Sequence, residues 1–75
     1  MLERIEVNPR KLAGKAVIRG TRIPVYLILE LLENGYTFKK IIEAYPVLTE
    51  EDIKAAIEYS AKLLKNEEVV EYGVT

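Results

Sequence analysis

The sequence predicts a small, mainly helical domain in which three helices follow a short N-terminal β-arm. Two segments of β-forming residues precede residue 21, and beyond Pro24 the apolar residues recur at helical spacing. Hydrophobic residues make up 49% of the 75 residues and charged residues 31%, as in globular proteins. A chain this short fills only one core, so we expect one domain over residues 1–65 and an acidic C-terminal tail over residues 66–75.

The β-arm is predicted from two short segments. Residues 4–7 (RIEV) alternate in polarity, and residues 15–20 (KAVIRG) form a second candidate strand that stops at Gly20. The pair Asn8-Pro9 marks a turn after the first segment. Because two strands alone are only marginally stable in water, the arm has to pack on the helices or on a second copy of the chain.

The first two helices are predicted from the residues at their ends. Pro24 permits a helix to begin, since its missing N–H would have no partner in the first turn. That helix continues to Gly35, a favourable residue just after a helix end. Thr37 is a suitable N-cap for a second, short helix, which must stop before Pro46.

The third helix is predicted to begin at Thr49, which forms a capping box with Asp52 in place of the usual glutamate. Its apolar residues recur at spacings of three and four, which predicts one buried stripe: Ile53, Ala56, Ile57, Ser60, Ala61 and Leu64. The helix should run to Lys65. The short PVL connection before it matches the helix-turn-helix pattern in length.

The composition argues against an enzyme. The chain has no cysteine and no histidine, which removes the thiolate nucleophile, the commonest general base and the usual zinc ligands. No metal, nucleotide or cofactor motif is present in the sequence. We therefore expect a non-catalytic binding module without a cofactor. The charged N-terminus and the lack of any run of roughly 18 apolar residues predict a cytoplasmic protein with no membrane partner.

Charge is distributed unevenly along the chain. Residues 1–22 carry six basic and two acidic residues, whereas residues 49–75 carry three basic and seven acidic ones. The two ends therefore favour different partners.

Three segments of the sequence carry a family resemblance: IEVNP, GKAVIRGTRIPV and ENGYTFKKIIEAYPVLTEEDIKAAIEY. Together they resemble the family catalogued as domain of unknown function 433, over roughly residues 4–64, and the pattern G-K-x-x-I-x-G-T-R-I-P-V is the most specific part. Three residues depart from the family pattern. Ala16 stands where the family often has proline, and Phe38 and Lys39 replace small and acidic residues at the start of the second helix.

The resemblance implies a homeodomain-like, three-helix fold with a helix-turn-helix and a short β-arm. It also implies the role of antitoxin in a type II toxin–antitoxin pair, in which the partner is a small PIN-like nuclease. Such an antitoxin could also regulate its own operon when bound to its partner.

A basic loop is the candidate site for a partner or for nucleic acid, with five residues: Lys15, Arg19, Gly20, Thr21 and Arg22. The two arginines present forked donors suited to carboxylates or phosphates, so they could neutralise the metal-binding carboxylates of a nuclease. The alternative is a structural turn. In that case Gly20 meets a backbone requirement, Thr21 caps the first helix, and the arginines pair with Glu30 or Glu33.

The second functional interpretation is a stand-alone, dimeric transcriptional regulator that binds DNA. A recognition helix would present its N-terminal residues to the bases, but here these are Glu50, Glu51 and Asp52. Three carboxylates oppose binding to a polyanion. The expected DNA contacts therefore lie in the basic arm: Arg4, Arg10 and Lys11, with Arg19 and Arg22.

The first helix is apolar around nearly its whole circumference, which is more than a three-helix core needs. We therefore expect a homodimer or partner surface on this helix, formed by Val25, Ile28, Leu29 and Leu32.

The C-terminal tail combines acidic residues with three apolar ones: Val69, Val70 and Tyr72. These three could anchor a segment that orders on a partner, with the acidic residues against a basic RNA-binding surface of the nuclease. The alternative is a disordered C-terminus.

Overall fold

The computed structural model describes residues 1–65 and shows three helices packed against a two-stranded antiparallel arm. The elements are β1 (Ile5–Val7), β2 (Ala16–Ile18), α1 (Val25–Glu33), α2 (Phe38–Ala44) and α3 (Glu50–Lys65). The mainly helical fold with a short N-terminal hairpin, predicted from the sequence, is therefore confirmed.

The arm packs on the helices of its own chain. Ile5 of β1 lies opposite Ile18 of β2, and both side chains are buried in the same cluster as the helical core residues. A turn at Asn8 begins the connection between the strands, because the Asn8 carbonyl accepts a hydrogen bond from the Lys11 amide at 2.9 Å. The Asn8 side chain also accepts one from the Arg10 amide at 2.8 Å. Such an Asx turn is local chemistry that asparagine favours.

The helix ends are those that the sequence predicts. Pro24 directly precedes α1, and Gly35 follows it with a φ of +89°, which favours glycine. The Thr37 hydroxyl oxygen caps α2 by accepting a hydrogen bond from the Lys40 amide at 3.1 Å.

The capping box at the start of α3 is also present. The Thr49 hydroxyl oxygen accepts a hydrogen bond from the Asp52 amide at 3.2 Å, and Asp52 Oδ2 accepts one from the Thr49 amide at 2.9 Å. Each residue thus satisfies an amide that the helix leaves without a partner.

The core lies where the arm and the three helices meet. Its largest fully buried side chains are Val17, Ile18, Ile28, Ile41, Leu48 and Ile53. β2 contributes two of these side chains, each helix contributes one, and Leu48 lies in the connection between α2 and α3. α3 adds the buried Ala55 and Ala56 beside Ile53.

The predicted stripe on α3 is correct only in its first half. Ile53 and Ala56 are buried, whereas Ile57 is 40% exposed and Leu64 is 64% exposed. α3 has 16 residues but α1 has nine and α2 seven, so the shorter helices cannot cover all of it. Residues 61–65 are all exposed as a result. No helix within residues 1–65 has the length and apolar character needed to cross a membrane.

Candidate partner-binding surface

Arg19, one of the two arginines of the basic loop, is bound to the backbone of the arm. Its Nε donates a hydrogen bond to the Glu3 carbonyl oxygen at 2.6 Å, and its Nη2 donates one to the Ile5 carbonyl oxygen at 3.3 Å. Charge-assisted bonds of this kind are stronger than neutral ones. Arg19 therefore fixes the segment around the start of β1 against the end of β2. Its acceptors are backbone carbonyls and not the Glu30 or Glu33 carboxylates that the alternative of a structural turn proposes.

Gly20 and Thr21 shape the turn between β2 and α1. The Thr21 hydroxyl donates to the Ile18 carbonyl oxygen at 2.7 Å and accepts from the Ile23 amide at 3.0 Å. Gly20 has a φ of +81°, and a Cβ added there would meet no atom within 4 Å. Glycine is thus required by the backbone and not by a close contact. Thr21 closes this turn and does not cap α1, whose N-cap is Pro24.

Arg22 differs from Arg19 in its surroundings. Both residues are exposed, but among residues 1–65 the side-chain hydrogen bonds and ion pairs of the arginines belong to Arg4 and Arg19. Arg22 follows the turn closed by Thr21 and lies just before the first turn of α1. Of the two loop arginines, it is the one whose guanidinium can meet an external carboxylate or phosphate.

The remaining basic residues of the arm are partly engaged. Arg4 Nη1 lies 3.0 Å from Asp52 Oδ1, and Lys11 Nζ lies 3.3 Å from Glu6 Oε1. The Lys11 ammonium holds the pKa of the Glu6 carboxyl below its ordinary value. Arg10 is exposed. Its backbone amide donates to the Asn8 side chain, and within residues 1–65 its guanidinium makes no hydrogen bond or ion pair. Arg10 is therefore the best placed of the three expected DNA contacts.

The start of α3 presents fewer carboxylates to solvent than its three acidic residues indicate. Asp52 is buried and paired with Arg4, and Glu50 pairs with Lys54 across one helical turn at 3.4 Å. Glu51 is exposed. Two carboxylates still face outward at the end that a recognition helix would insert into the major groove. Within residues 1–65 no three acidic side chains gather closely enough to hold a metal ion.

Two of the four residues expected to form a dimer or partner surface on α1 face the core. Val25 is 5% exposed and Ile28 is fully buried, so the prediction that they form an outward surface is wrong. The reason is that β2, α2 and α3 all pack against α1 and cover that side. Leu29 and Leu32 are partly buried and pack against the core cluster.

An open apolar groove lies where α1, α3 and the start of β2 meet, with a volume of about 390 Å³. We call it the α1–α3 groove, and its lining includes Lys15, Ala16, Tyr26, Leu29, Tyr59 and Leu63. Tyr26 is 51% exposed and Leu63 is 58% exposed. Large apolar side chains that stay exposed side by side are typical of binding surfaces.

Lys15 belongs to this groove as well as to the basic loop. Its Nζ lies 5.7 Å from the centre of the Tyr26 ring, within the distance of a cation–π contact. The ammonium therefore places a positive charge at the rim of an apolar surface.

Tyr59 and Leu63 were not among the site residues predicted from the sequence. They are four positions apart, which places them on one face of α3, beside the predicted stripe. This second i,i+4 pair of apolar residues is the sequence signal for the groove. Tyr26 of α1 forms the opposite wall.

Comparison with known proteins assigns the chain to a family. The family model described as "Protein of unknown function (DUF433)" matches residues 5–60, which include both strands and most of α3. The chain belongs to the DUF433 family. The match ends within α3, so Leu63 and the tail lie beyond it.

Two other proteins resemble this DUF433 domain. The uncharacterized protein y4eO of Sinorhizobium fredii (strain NBRC 101917 / NGR234) is 36% identical over 58 residues, which are 77% of this chain and 26% of that protein. The crystal structure of a DUF433 member protein from Anabaena variabilis ATCC 29413 has a TM-score of 0.77 and 35% identity, covering 83% of this chain and 61% of that one. The chain therefore spans about a quarter of the first relative and about three-fifths of the second.

Proposed function

We propose that this DUF433 domain is a non-catalytic protein-binding module, the cytoplasmic antitoxin of a type II toxin–antitoxin pair that neutralises a small PIN-like nuclease. The observation that carries the proposal is the contrast between the two loop arginines. Both arginines are exposed, but Arg19 donates hydrogen bonds to backbone carbonyls of the arm, whereas among residues 1–65 no hydrogen bond or ion pair engages the Arg22 side chain. Arg22 stands at the end of a turn that Thr21 closes with two hydrogen bonds.

A turn fixed in this way suits the blocking of a carboxylate site. Because Thr21 and Arg19 already fix the backbone on either side of Gly20, little conformational entropy is lost when Arg22 meets a partner. A guanidinium pairs with carboxylates through two parallel hydrogen bonds. In a metal-dependent nuclease, such a pair on the metal-binding carboxylates would displace the metal and stop hydrolysis.

The α1–α3 groove supports the same role, since one arginine cannot supply a stable interface. A specific complex buries about 800 Å² on each partner, and its strongest contacts are enriched in tyrosine, tryptophan and arginine. Arg22 lies three residues before Val25, the first residue of α1, and Tyr26 is the second residue of that helix, so their Cα atoms are at most about 14 Å apart. The guanidinium and the apolar groove are therefore close enough to belong to one interface.

The test is inhibition of the cognate nuclease. Tagged full-length protein is captured from native lysate after nuclease treatment, and a small co-purifying protein with metal-dependent ribonuclease activity is taken as the target. Wild-type protein and the Arg22→Ala variant are then titrated into the ribonuclease assay. We expect Arg22→Ala to lose at least about tenfold in inhibition, the loss of one charge-assisted contact of about 1.4 kcal/mol or more.

Arg10→Ala is the matched control, because it removes an exposed arginine from the same basic arm without touching the turn. It should inhibit like the wild type. Full inhibition by Arg22→Ala, or equal losses in both variants, would show that this guanidinium does not enter the nuclease site.

The second candidate function is a stand-alone, homodimeric regulator that binds DNA. It is favoured by the exposed arginines Arg10 and Arg22 in the basic arm, whose charge a dimer would double. This function requires tight, strongly salt-dependent operator binding by the protein alone. An antitoxin that regulates its operon only in complex instead binds its operator weakly until the nuclease is added, and a gel-shift titration at several salt concentrations separates the two.

A further inference from the structure

We infer that two copies of this chain associate through the exposed face of α1, with their two α1 helices antiparallel about a twofold axis. The inference does not depend on the function proposed above. It rests on the position of the exposed residues of α1, on four charged side chains near its ends, and on the apolar groove beside it.

The exposed residues of α1 lie on one face of the helix. They are Tyr26, Glu30 and Glu33, at spacings of four and three, and the other six residues of α1 are buried or partly buried. Because β2, α2 and α3 pack on the other side of α1, this face is open to a second chain.

The two ends of this face carry opposite charges. At the N-terminal end, Lys15 contacts the Tyr26 ring, and Arg22 precedes the helix by three residues. At the C-terminal end, Glu30 and Glu33 lie in the last turn. Within residues 1–65 none of these four charged side chains takes part in an ion pair. Both ends of the face therefore present charge to an incoming chain.

This arrangement of charge is unfavourable for an isolated α1. The helix dipole favours anions near the N-terminus and cations near the C-terminus, and α1 has the reverse at both ends. An antiparallel second α1 brings the glutamates of one copy to the basic end of the other. The twofold axis forms the same contacts twice. A parallel pair would place like charges together, so the charges select the antiparallel orientation.

The α1–α3 groove supplies the apolar part of the contact. Tyr26 belongs both to the exposed face of α1 and to the groove, and Leu63 of α3 lines the groove beside it. Both side chains are more than half exposed, so a second copy gains free energy by removing them from water. Because α1 is only about 14 Å long, we expect a weak dimer, with a dissociation constant that is roughly micromolar.

The dimer contact overlaps the surface that we propose for the nuclease. Arg22, Tyr26 and the groove belong to both. A partner that uses this surface must therefore bind the monomer and compete with the second copy.

Sedimentation of the full-length protein over a range of concentrations tests the inference. We expect a reversible equilibrium between monomer and dimer. Lys15→Glu, and separately the double variant Glu30→Lys/Glu33→Lys, place like charges opposite each other at both contacts and should weaken dimerisation by at least about tenfold. Lys39→Glu is the matched control for Lys15→Glu, because it makes the same change in net charge at an exposed site on α2. It should dimerise like the wild type.

A mixture of the two charge variants is the decisive measurement. In the mixed dimer the reversed basic end of one copy faces the reversed acidic end of the other, and the two unchanged ends also face each other. Opposite charges then meet at both contacts. The mixture should dimerise like the wild type although neither variant does so alone, and an ion pair within one chain cannot produce that result.

Three results would overturn the inference. A wild type that stays monomeric at every concentration has no such contact. Charge variants that still dimerise place the interface elsewhere on the chain. A mixture that stays monomeric shows that the basic and acidic ends do not meet across the dimer. Circular dichroism shows whether each variant keeps its helices, as expected for substitutions at exposed sites.

Discussion

Arg4 and Asp52 form an ion pair that joins the N-terminal segment to the start of α3, with 3.0 Å between Nη1 and Oδ1. The second oxygen of the same carboxylate accepts a hydrogen bond from the Thr49 amide. Asp52 is buried, whereas the Arg4 side chain is 39% exposed. One carboxylate thus begins the longest helix and also holds the arm against it.

Replacement of Asp52 by alanine should destabilise the fold more than replacement of Arg4. Asp52→Ala removes the side-chain acceptor of the capping box and the ion pair, and should cost about 2–3 kcal/mol in the free energy of unfolding. Arg4→Ala leaves the carboxylate with its Thr49 partner and partly open to water, so we expect about 1 kcal/mol. Urea denaturation of the single variants measures both costs.

The double variant and a neighbouring acid serve as controls for this pair. If Arg4 and Asp52 interact as the distance indicates, the cost of the double variant should be less than the sum of the two single costs by about 0.5 kcal/mol or more. Glu51→Ala, one residue away and exposed, should change stability little. Additive costs at Arg4 and Asp52 would contradict a coupled pair.

The two loop arginines should differ in their effect on stability. Arg19→Ala removes two charge-assisted hydrogen bonds to backbone carbonyls and should cost about 1–2 kcal/mol. Arg22→Ala removes an exposed side chain and should stay within about 0.5 kcal/mol of the wild type. Thermal denaturation of the two variants checks this contrast. Equal losses would mean that Arg22 also has a structural partner.

The features that sequence reasoning predicted correctly depend on neighbouring residues alone. The cap of α2 at Thr37, the capping box of Thr49 and Asp52, and the glycine after α1 are each formed within four residues of the chain. Local hydrogen bonding and backbone preference determine such features, whatever the rest of the fold does.

The features that it missed depend on contacts between distant elements. An apolar circumference on α1 does not show which side faces the core, and the structure turns Ile28 inward and Tyr26 outward. Arg19 and Arg22 are alike in sequence, but only Arg19 reaches the carbonyls of β1 and the residues before it. The groove was missed for the same reason, since its walls come from three separate elements.

The orientation of α1 leads to a further prediction about stability. Ile28→Ala should cost about 2–4 kcal/mol, because it opens a cavity in a fully buried part of the core. Tyr26→Ala removes a side chain that is half exposed and should cost about 1 kcal/mol or less. Urea denaturation distinguishes them. A small effect at Ile28 would mean that this side of α1 is open in solution, as an interface with another chain would require.

The contact between Lys11 and Glu6 should make stability depend on pH. The Lys11 ammonium lowers the pKa of Glu6 in the folded chain, so the carboxylate stabilises the fold fully above the unfolded value of about 4.3. That contribution is lost as the pH falls through the lower, folded pKa. We therefore expect Glu6→Gln to lower the urea midpoint at neutral pH but not in strong acid. Lys11→Gln should show the same trend, because either substitution removes the pair, and a gap between Glu6→Gln and wild type that persisted in acid would mean that Glu6 acts through packing instead of charge.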